Sequence, residues 1–553
     1  MAAFFDTHKA TLDKAVETIH SRGYWSAYPE MPSGKIYGES AKDDGEATFK
    51  ALLGKPFELD QPTTGGHVGH EVSPFGLNLG ITYPETTPDM AVAAARAAMD
   101  GWGKASAEAR AGVCLEILHR INRLSFLFAN AVMHTSGQAF MMAFQAGGPH
   151  AQDRGLEAVA YAYDEMSRIP SAVRWEKPQG PKDPLVLDKQ FRIVPRGPAL
   201  VIGCATFPTW NSYPGLFASL ATGNPVIVKP HPGAILPLAL TVKIGREVLA
   251  EAGFDPNVLQ LAADTAAKPL TKELVTHPDV AIIDFTGSPA FGAWVRENAR
   301  GKLVYTEEAG VNSIVVTGTP SMRGMAGNIA FSLSLYSGQM CTAPQNIFVP
   351  RGGIGTDEGH KSFDEVAGAI ATAVDKLLGD PQRAAGVLGA VQSEATLERV
   401  AEARKLGKVL RDSTPVEGMD GARSATPLVL AVDAADEAAY LEERFGPISF
   451  VIATDSAEDA IARAAGSAKT RGAITAALYA TDETLIDKAA DAFADAGVAL
   501  SVNLTGGIFV NQSAAYSDYH VTGANPAGNA CLCDSAFVAN RFRVAAMRRP
   551  VAA

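Results

Sequence analysis

What the chain has little of narrows it first. Cysteine is scarce: there are five in 553 residues (Cys114, Cys204, Cys341, Cys531 and Cys533), too few to build a disulfide framework. Cys531 and Cys533 stand one residue apart, with no second Cys/His pair at ligand spacing, which argues against a zinc site. No run of about 18 apolar residues exists that could span a membrane. Met1 to Ile19 carries Asp6, Lys9, Asp13, Lys14 and Glu17 at helical spacing and lacks the apolar stretch of a signal peptide. These absences predict a cytoplasmic protein. Positive charge is also in deficit. A net charge of −12 excludes a general nucleic-acid binder, which needs a basic surface to neutralise phosphates, although a locally basic pocket for an anion is still allowed. No internal repeat or low-complexity tract is present.

What is there reads as an ordinary globular protein, 47 % hydrophobic and 20 % charged. The length is too great for one compact core and implies two or three domains. Residues 1–60 read as a helical extension followed by a Pro/Gly-rich passage. Thr87-Pro88-Asp89 is a helix start with proline at the first helical position. Apolar residues at helical spacing (Val113, Ile117, Leu118, Ile121, Leu124, Phe128) continue the helical text, and another helix is expected from about Asp153 to Met166. Trp175 to Lys189 reads as an extended arm.

From Gly197 the pattern changes. Short apolar runs at 198–203, 225–229, 258–261 and 280–285 alternate with helical stretches, which predicts a parallel, doubly wound sheet. The alternation resumes after Cys341 with expected strands at 346–349, 448–453 and 476–479. Two α/β domains follow, divided near residue 310: a cofactor-type domain over 61–310, interrupted by an arm at about 176–196, and a second over 311–534. Residues 535–553 form a terminal segment.

Cys341, in Ser337-Gly338-Gln339-Met340-Cys341, follows an apolar helical run. Alone it reads as a small buried hydrophobe, the usual fate of a free cysteine. Other segments change that. Thr209-Trp210-Asn211-Ser-Tyr-Pro214 follows the first strand, and Lys229-Pro230 ends the second. Phe285-Thr286-Gly287-Ser288 ends the fourth, and Thr306-Glu307-Glu308-Ala309-Gly310 comes 33 residues (counted from Glu308) before Cys341. Glu443-Arg444-Phe445-Gly446-Pro447 lies far downstream. Each motif is weak singly. In this order and spacing, over roughly residues 85–540, they resemble the aldehyde dehydrogenase superfamily.

The resemblance implies an aldehyde dehydrogenase-like α/β fold with a Rossmann-like cofactor domain, a catalytic domain and a β arm for oligomerisation. It also implies oxidation of an aldehyde to a carboxylic acid with NAD or NADP. Cys341 would be the nucleophile and Asn211 the oxyanion donor, an interaction worth about 3 kcal/mol to a transition state. Glu308 would be the general base that activates water, with Glu307 as the alternative if the register is shifted by one. A thiol with a pKa near 8.5 is only about a few per cent ionised at pH 7, so the nucleophile needs a base, a helix N-terminus or a cationic ring beside it. Lys229 would contact the adenosine ribose, and the turn Phe285, Thr286, Gly287, Ser288 would receive the pyrophosphate at a helix N-terminus. Glu443 would hold the nicotinamide ribose, Phe445 would pack on the nicotinamide end, and Trp210 would line the passage between cofactor and substrate. The plainer readings stand beside these: Asn211 as a turn residue, Lys229 as a solvated strand end, Trp210 as core, Glu443 and Phe445 as cap or core.

Three departures matter. The ribose-binding glutamate that common NAD-using members carry three residues after the lysine is here Pro232, preceded by His231. Losing that carboxylate removes a repulsion against a 2′-phosphate and leans the expectation toward NADP. The glycine-rich loop after the third strand is Ala262-Ala263-Asp264-Thr265. The usual ELGGK reads Glu308-Ala309-Gly310-Val311-Asn312. These departures, the N-terminal extension and the tail Tyr516-Ser-Asp-Tyr519-His520 are similar to the PaaN subfamily of phenylacetic acid degradation proteins, which implies an aromatic-derived or CoA-linked semialdehyde. The rivals are a CoA-acylating dehydrogenase, a ring-opening hydrolase or hydratase on the same fold, and a binding protein on a dead fold. No metal is expected. The arm near Lys182 to Ile193 and the segment Ala536 to Ala546 are expected to pair between subunits of a homodimer or homotetramer.

Overall fold

The computed structural model describes residues 2–308 and 310–551. It begins with helix α1 (Ala2–Ser21), which lies on the helices Ala107–Arg123 and α2 (Pro149–Ser167). Apolar residues at helical spacing put Leu12, Ala15 and Ile19 into the core, and His8 pairs with Glu116 at 2.7 Å. The extension is therefore packed onto the body of the protein. Residues 26–28 continue that contact, since the Asp153 carboxylate on α2 accepts from Ser26 Oγ at 2.5 Å and from the Ala27 N–H at 3.0 Å.

The first sheet contains β1 (Ala199–Ile202), β2 (Val226–Lys229), β3 (Leu259–Leu261), β4 (Ile282–Gly287) and β5 (Leu303–Glu308) in the spatial order β3-β2-β1-β4-β5, all parallel. The β-branched residues of β1, β2 and β4 are buried on both faces, as a sheet covered by helices on each side requires. The order reverses at β1, so ligands are expected beyond the C-terminal ends of β1 and β4. Helix α3 (Pro208–Ala221) follows β1 and helix α4 (Pro289–Asn298) follows β4. The Trp210-Asn211 segment is the first turn of α3, which continues through Pro214, so the plainer reading of Asn211 as a turn residue does not hold.

A second sheet of seven strands spans Ser313–Val316 to Ala499–Val502, with Ser313–Val316 next to Asn346–Pro350 and Thr475–Tyr479. In the third sheet the two segments expected to pair between subunits meet within one chain. Lys182–Pro195 pairs antiparallel with Ala172–Gln179 on one side and with Phe542–Pro550 of the same chain on the other. The terminal segment also opens as a helix, Ser535–Ala539, and not as a strand from Ala536. Its root is fixed by a bidentate ion pair of Arg541 with Asp284 on β4, at 2.5 and 2.8 Å and fully buried on the arginine side. Two strand edges of this arm are left open. No helix among the described residues is long and apolar enough to cross a membrane.

Candidate active site

The Cys341 loop is bent by three consecutive left-handed residues, Tyr336 (φ 52°), Ser337 (φ 51°) and Gly338 (φ 63°). Two of these are not glycine, and each such residue costs about 1 kcal/mol or more. Neighbouring groups hold them in place. Ser337 Oγ donates toward the carbonyls of Leu388 and Ala425 at 3.2 Å each, and the Tyr336 hydroxyl donates to the Ser136 carbonyl. A Cβ on Gly338 would lie 2.5 Å from the Gly446 carbonyl oxygen. That contact ties the cysteine motif to the downstream Glu443–Pro447 motif: Gly338 lets the two backbones touch, while a Cβ on Gly446 would meet the Thr396 methyl at 2.6 Å.

Asn312 completes the loop. Its Nδ2 donates to the carbonyls of Cys341 (2.8 Å) and Ala343 (3.0 Å), while its Oδ1 accepts from the N–H groups of Ile474 and Thr475. The side chain is buried. Sequence reading had marked Asn312 only as a departure from a familiar motif. Four hydrogen bonds on one amide show that it holds the Cys341 loop in place.

The two glutamates of β5 point to opposite faces of the strand. Glu308 turns toward α4, where its carboxylate is ion-paired to Arg296 and packs on Gly292. The expectation that Glu308 serves Cys341 fails on this geometry. Glu307 turns the other way, so the alternative register is the one the strand adopts. Its Oε2 accepts from Asn211 Nδ2 at 3.0 Å and its Oε1 from His520 Nε2 at 3.0 Å. The Cys341 Sγ, a Glu307 oxygen and a His520 ring nitrogen all lie within 4.8 Å of one another. A soft divalent metal would compete for the same three atoms.

The electrostatics match a resting thiol beside an ionised carboxylate. Burial pushes the Glu307 carboxyl up, but the His520 ring and hydrogen bonds from His520, Cys341 and Asn211 more than reverse this, so it titrates below the ordinary carboxylate range. Burial first and the Glu307 charge second push the Cys341 thiol well above its usual value. Cys341 is half-buried and Glu307 is 2 % exposed. Cys204 is a second thiol nearby; burial raises it to about 11, and its Sγ donates weakly to Asn211 Oδ1 at 3.6 Å.

The cofactor candidates separate into two groups. Ser288 caps α4 by accepting from the Phe291 N–H, and Thr286 and Gly287 are partly exposed beside it at the end of β4. Phe285 is buried, with its ring against Phe291 and under Gly287. A cleft of about 620 Å³ runs from Pro289, at the start of α4, across Val311 to Glu443. Burial raises Glu443 to about 8, only partly offset by Arg399, and its charge also bears on Cys341. This is an acid on a cleft wall, close enough to Cys341 to influence it. Phe445 follows on the same loop, half-buried, its carbonyl accepting from Arg399.

Lys229 and Trp210 are both engaged with groups of the protein itself. Lys229 is 3 % exposed, and its ammonium donates to Asp264 Oδ1 at 2.6 Å and the Pro230 carbonyl at 2.9 Å, leaving one of its three donors. Trp210 does not line the cleft. Its ring meets the edge of His520 (centroids 4.6 Å apart), and the Arg154 guanidinium lies 5.1 Å from its centroid. A larger cavity, about 1230 Å³ and ringed by Arg96, Arg192, Arg300 and Lys302, lies away from these groups and contains no cysteine.

His520 is the functional candidate that sequence reading passed over. It stood only as part of a tail, and no spacing rule places it beside a glutamate 213 residues earlier.

Residues 82–518 match the family model of the Aldehyde dehydrogenase family. The chain belongs to that family. A solved structure titled as an NAD-dependent aldehyde dehydrogenase from Burkholderia multivorans is 58 % identical, covers 100 % of this chain and 99 % of that one, and superposes with a TM-score of 0.98. This aldehyde dehydrogenase is also 28 % identical over 414 residues to 2-aminomuconic 6-semialdehyde dehydrogenase of a Pseudomonas species, covering 71 % of this chain and 78 % of that protein. The fold alone is shared with 1-pyrroline-5-carboxylate dehydrogenase of Thermus thermophilus, at 19 % identity, 96 % and 99 % coverage and a TM-score of 0.75.

Proposed function

We propose that this aldehyde dehydrogenase oxidises a semialdehyde to a carboxylic acid and releases it by hydrolysis. The observation that carries this is the constellation of a half-buried thiol, an ionised carboxylate and an amide donor around one point: Cys341, Glu307 and Asn211. The thiol proton passes to Glu307 as Cys341 Sγ bonds to the aldehyde carbon. Asn211 Nδ2 leaves Glu307 and donates to the new oxyanion. A bound nicotinamide cofactor supplies the hydride acceptor, leaving a thioester on Cys341. Glu307 releases the thiol proton to solvent and then takes one from water as the water oxygen adds to the carbonyl; collapse breaks the C–S bond, Glu307 returns the proton to the Cys341 sulfur, and the acid is freed.

The residues present fit a dinucleotide. The partly exposed turn Thr286, Gly287 and Ser288 at the start of α4 suits a pyrophosphate, and Glu443 on the 620 Å³ cleft suits a ribose. The Burkholderia multivorans protein is titled NAD-dependent, which favours NAD. Pro232 in place of the ribose-binding glutamate favours tolerance of NADP as well. The semialdehyde class rests on the resemblance to the PaaN subfamily, and the Pseudomonas relative is named for a semialdehyde. The release mode rests on Glu307, because a base aimed at the thioester serves water and not a CoA thiol. The test is a panel of semialdehydes with NAD and with NADP, beside Cys341→Ala, with the product resolved by mass spectrometry. Free acid and an inactive variant are expected. A CoA thioester as the product would overturn hydrolytic release, and full activity in Cys341→Ala would overturn the whole scheme.

A further inference from the structure

We infer that His520 is the positioning residue of the base: its Nε2–H holds the Glu307 carboxylate on the thioester after Asn211 has turned to the substrate. This rests on the reaction proposed above. In the resting site each Glu307 oxygen has one strong donor, Asn211 on Oε2 and His520 on Oε1. An ionised carboxylate only accepts, so the Nε2 nitrogen carries the proton. Asn211 cannot serve Glu307 and an oxyanion with the same N–H, and once Cys341 is acylated its S–H is gone as well. Of the three donors to the buried carboxylate, His520 alone persists into deacylation. A charge buried without donors would be expelled or neutralised, and Glu307 has to be ionised at that moment to take a proton from water.

The protein holds His520 firmly for this role. The loop that carries it has non-glycine residues at positive φ on both sides, Tyr516 (66°) and Val521 (61°). The Tyr516 N–H donates to Glu157 at 2.9 Å, and Glu157 forms a fully buried ion pair with Arg154 at 2.9 Å. Arg154 also donates to Ser513 at 3.0 Å and faces Trp210, whose ring abuts His520. The His520 N–H points at Cys533 Sγ, 3.1 Å away. Trp25, from the N-terminal extension, packs on Tyr516 with ring centroids 5.2 Å apart. The extension and the tail thus meet behind the base and brace it. The ring is 3 % exposed, so no water replaces it readily.

The test compares His520→Gln, whose amide reaches about as far as Nε2, with His520→Asn, which is polar but too short. First-turnover and steady-state NAD(P)H formation are followed in the full-length enzyme, with thermal melts for folding. In His520→Asn the first turnover proceeds at the wild-type rate and yields one NAD(P)H per site. Later turnovers then slow by about ten-fold or more, a part of what a positioned base contributes. His520→Gln stays within about three-fold of wild type, since its hydrogen bond is kept. If His520→Asn does not fold, His520→Leu takes its place against His520→Gln. Equal turnover in the long and short variants overturns the assignment, as does a first turnover slowed as much as the later ones. A wild-type enzyme that forms no NAD(P)H with any aldehyde overturns the underlying reaction, which separates the two failures.

Discussion

Glu307→Gln and Glu308→Gln should behave as opposites, although the residues are neighbours. Glutamine keeps the shape of Glu307 but cannot accept a proton, so deacylation loses a base worth about 10²–10⁴ in rate, or roughly 3–5 kcal/mol. It also turns its NH2 group toward either Asn211 or His520, both of which donate, leaving a donor facing a donor in a buried site at about 1–3 kcal/mol. Steady-state turnover should fall at least a hundred-fold (about the lower end of a general base's contribution); the first turnover should slow too, because Glu307 also takes the Cys341 proton, and the thioester that does form should persist as a mass adduct on the intact protein. Glu308→Gln removes an ion pair whose arginine is 41 % exposed. Such a pair is worth about 1 kcal/mol at most, so the melting temperature should drop by only a few degrees and turnover should stay within about three-fold. Rapid-quench kinetics and intact-mass spectrometry on both variants decide it. Loss of turnover in Glu308→Gln with Glu307→Gln active would refute the assignment of faces to β5 and the chemistry built on it.

Three further outcomes are expected. Gly338→Ala adds a Cβ 2.5 Å from the Gly446 carbonyl at a positive φ, so it should destabilise by about 1–3 kcal/mol and lower kcat by displacing Cys341, read by melting and kinetics. Because burial and the Glu307 charge hold the Cys341 thiol well above its usual pKa, its alkylation by iodoacetamide in cofactor-free enzyme should keep rising between about pH 8 and 10; a plateau near neutrality would contradict this. Glu443, raised to about 8, is mostly protonated at pH 7. Glu443→Gln should therefore bind cofactor nearly as wild type does at pH 7 and differ increasingly above pH 8, as isothermal titration at several pH values would show.

Much of this was legible from residues alone. Alternating apolar runs between 198 and 285 mark a parallel sheet because β-branched residues buried on both faces have few other homes. The order of short motifs pointed to Cys341 and Asn211 through the family resemblance that the order carries. Sequence could not choose between Glu307 and Glu308: adjacent strand residues face opposite sides, and a one-residue ambiguity exchanges one buried face of the sheet for the other. Nor could it place the Phe542–Pro550 strand, which pairs along one edge with Lys182–Pro195 of its own chain. Asn312 and His520 were invisible as functional groups, since their partners lie 29–31, 162–163 and 213 residues away. The sequence by itself determined the kind of chemistry, a thiol with an amide and a carboxylate near the ends of a doubly wound sheet. The tertiary structure decided which carboxylate faces the thiol and what braces it. Strand pleat and long-range packing set those, and neither is written in local spacing.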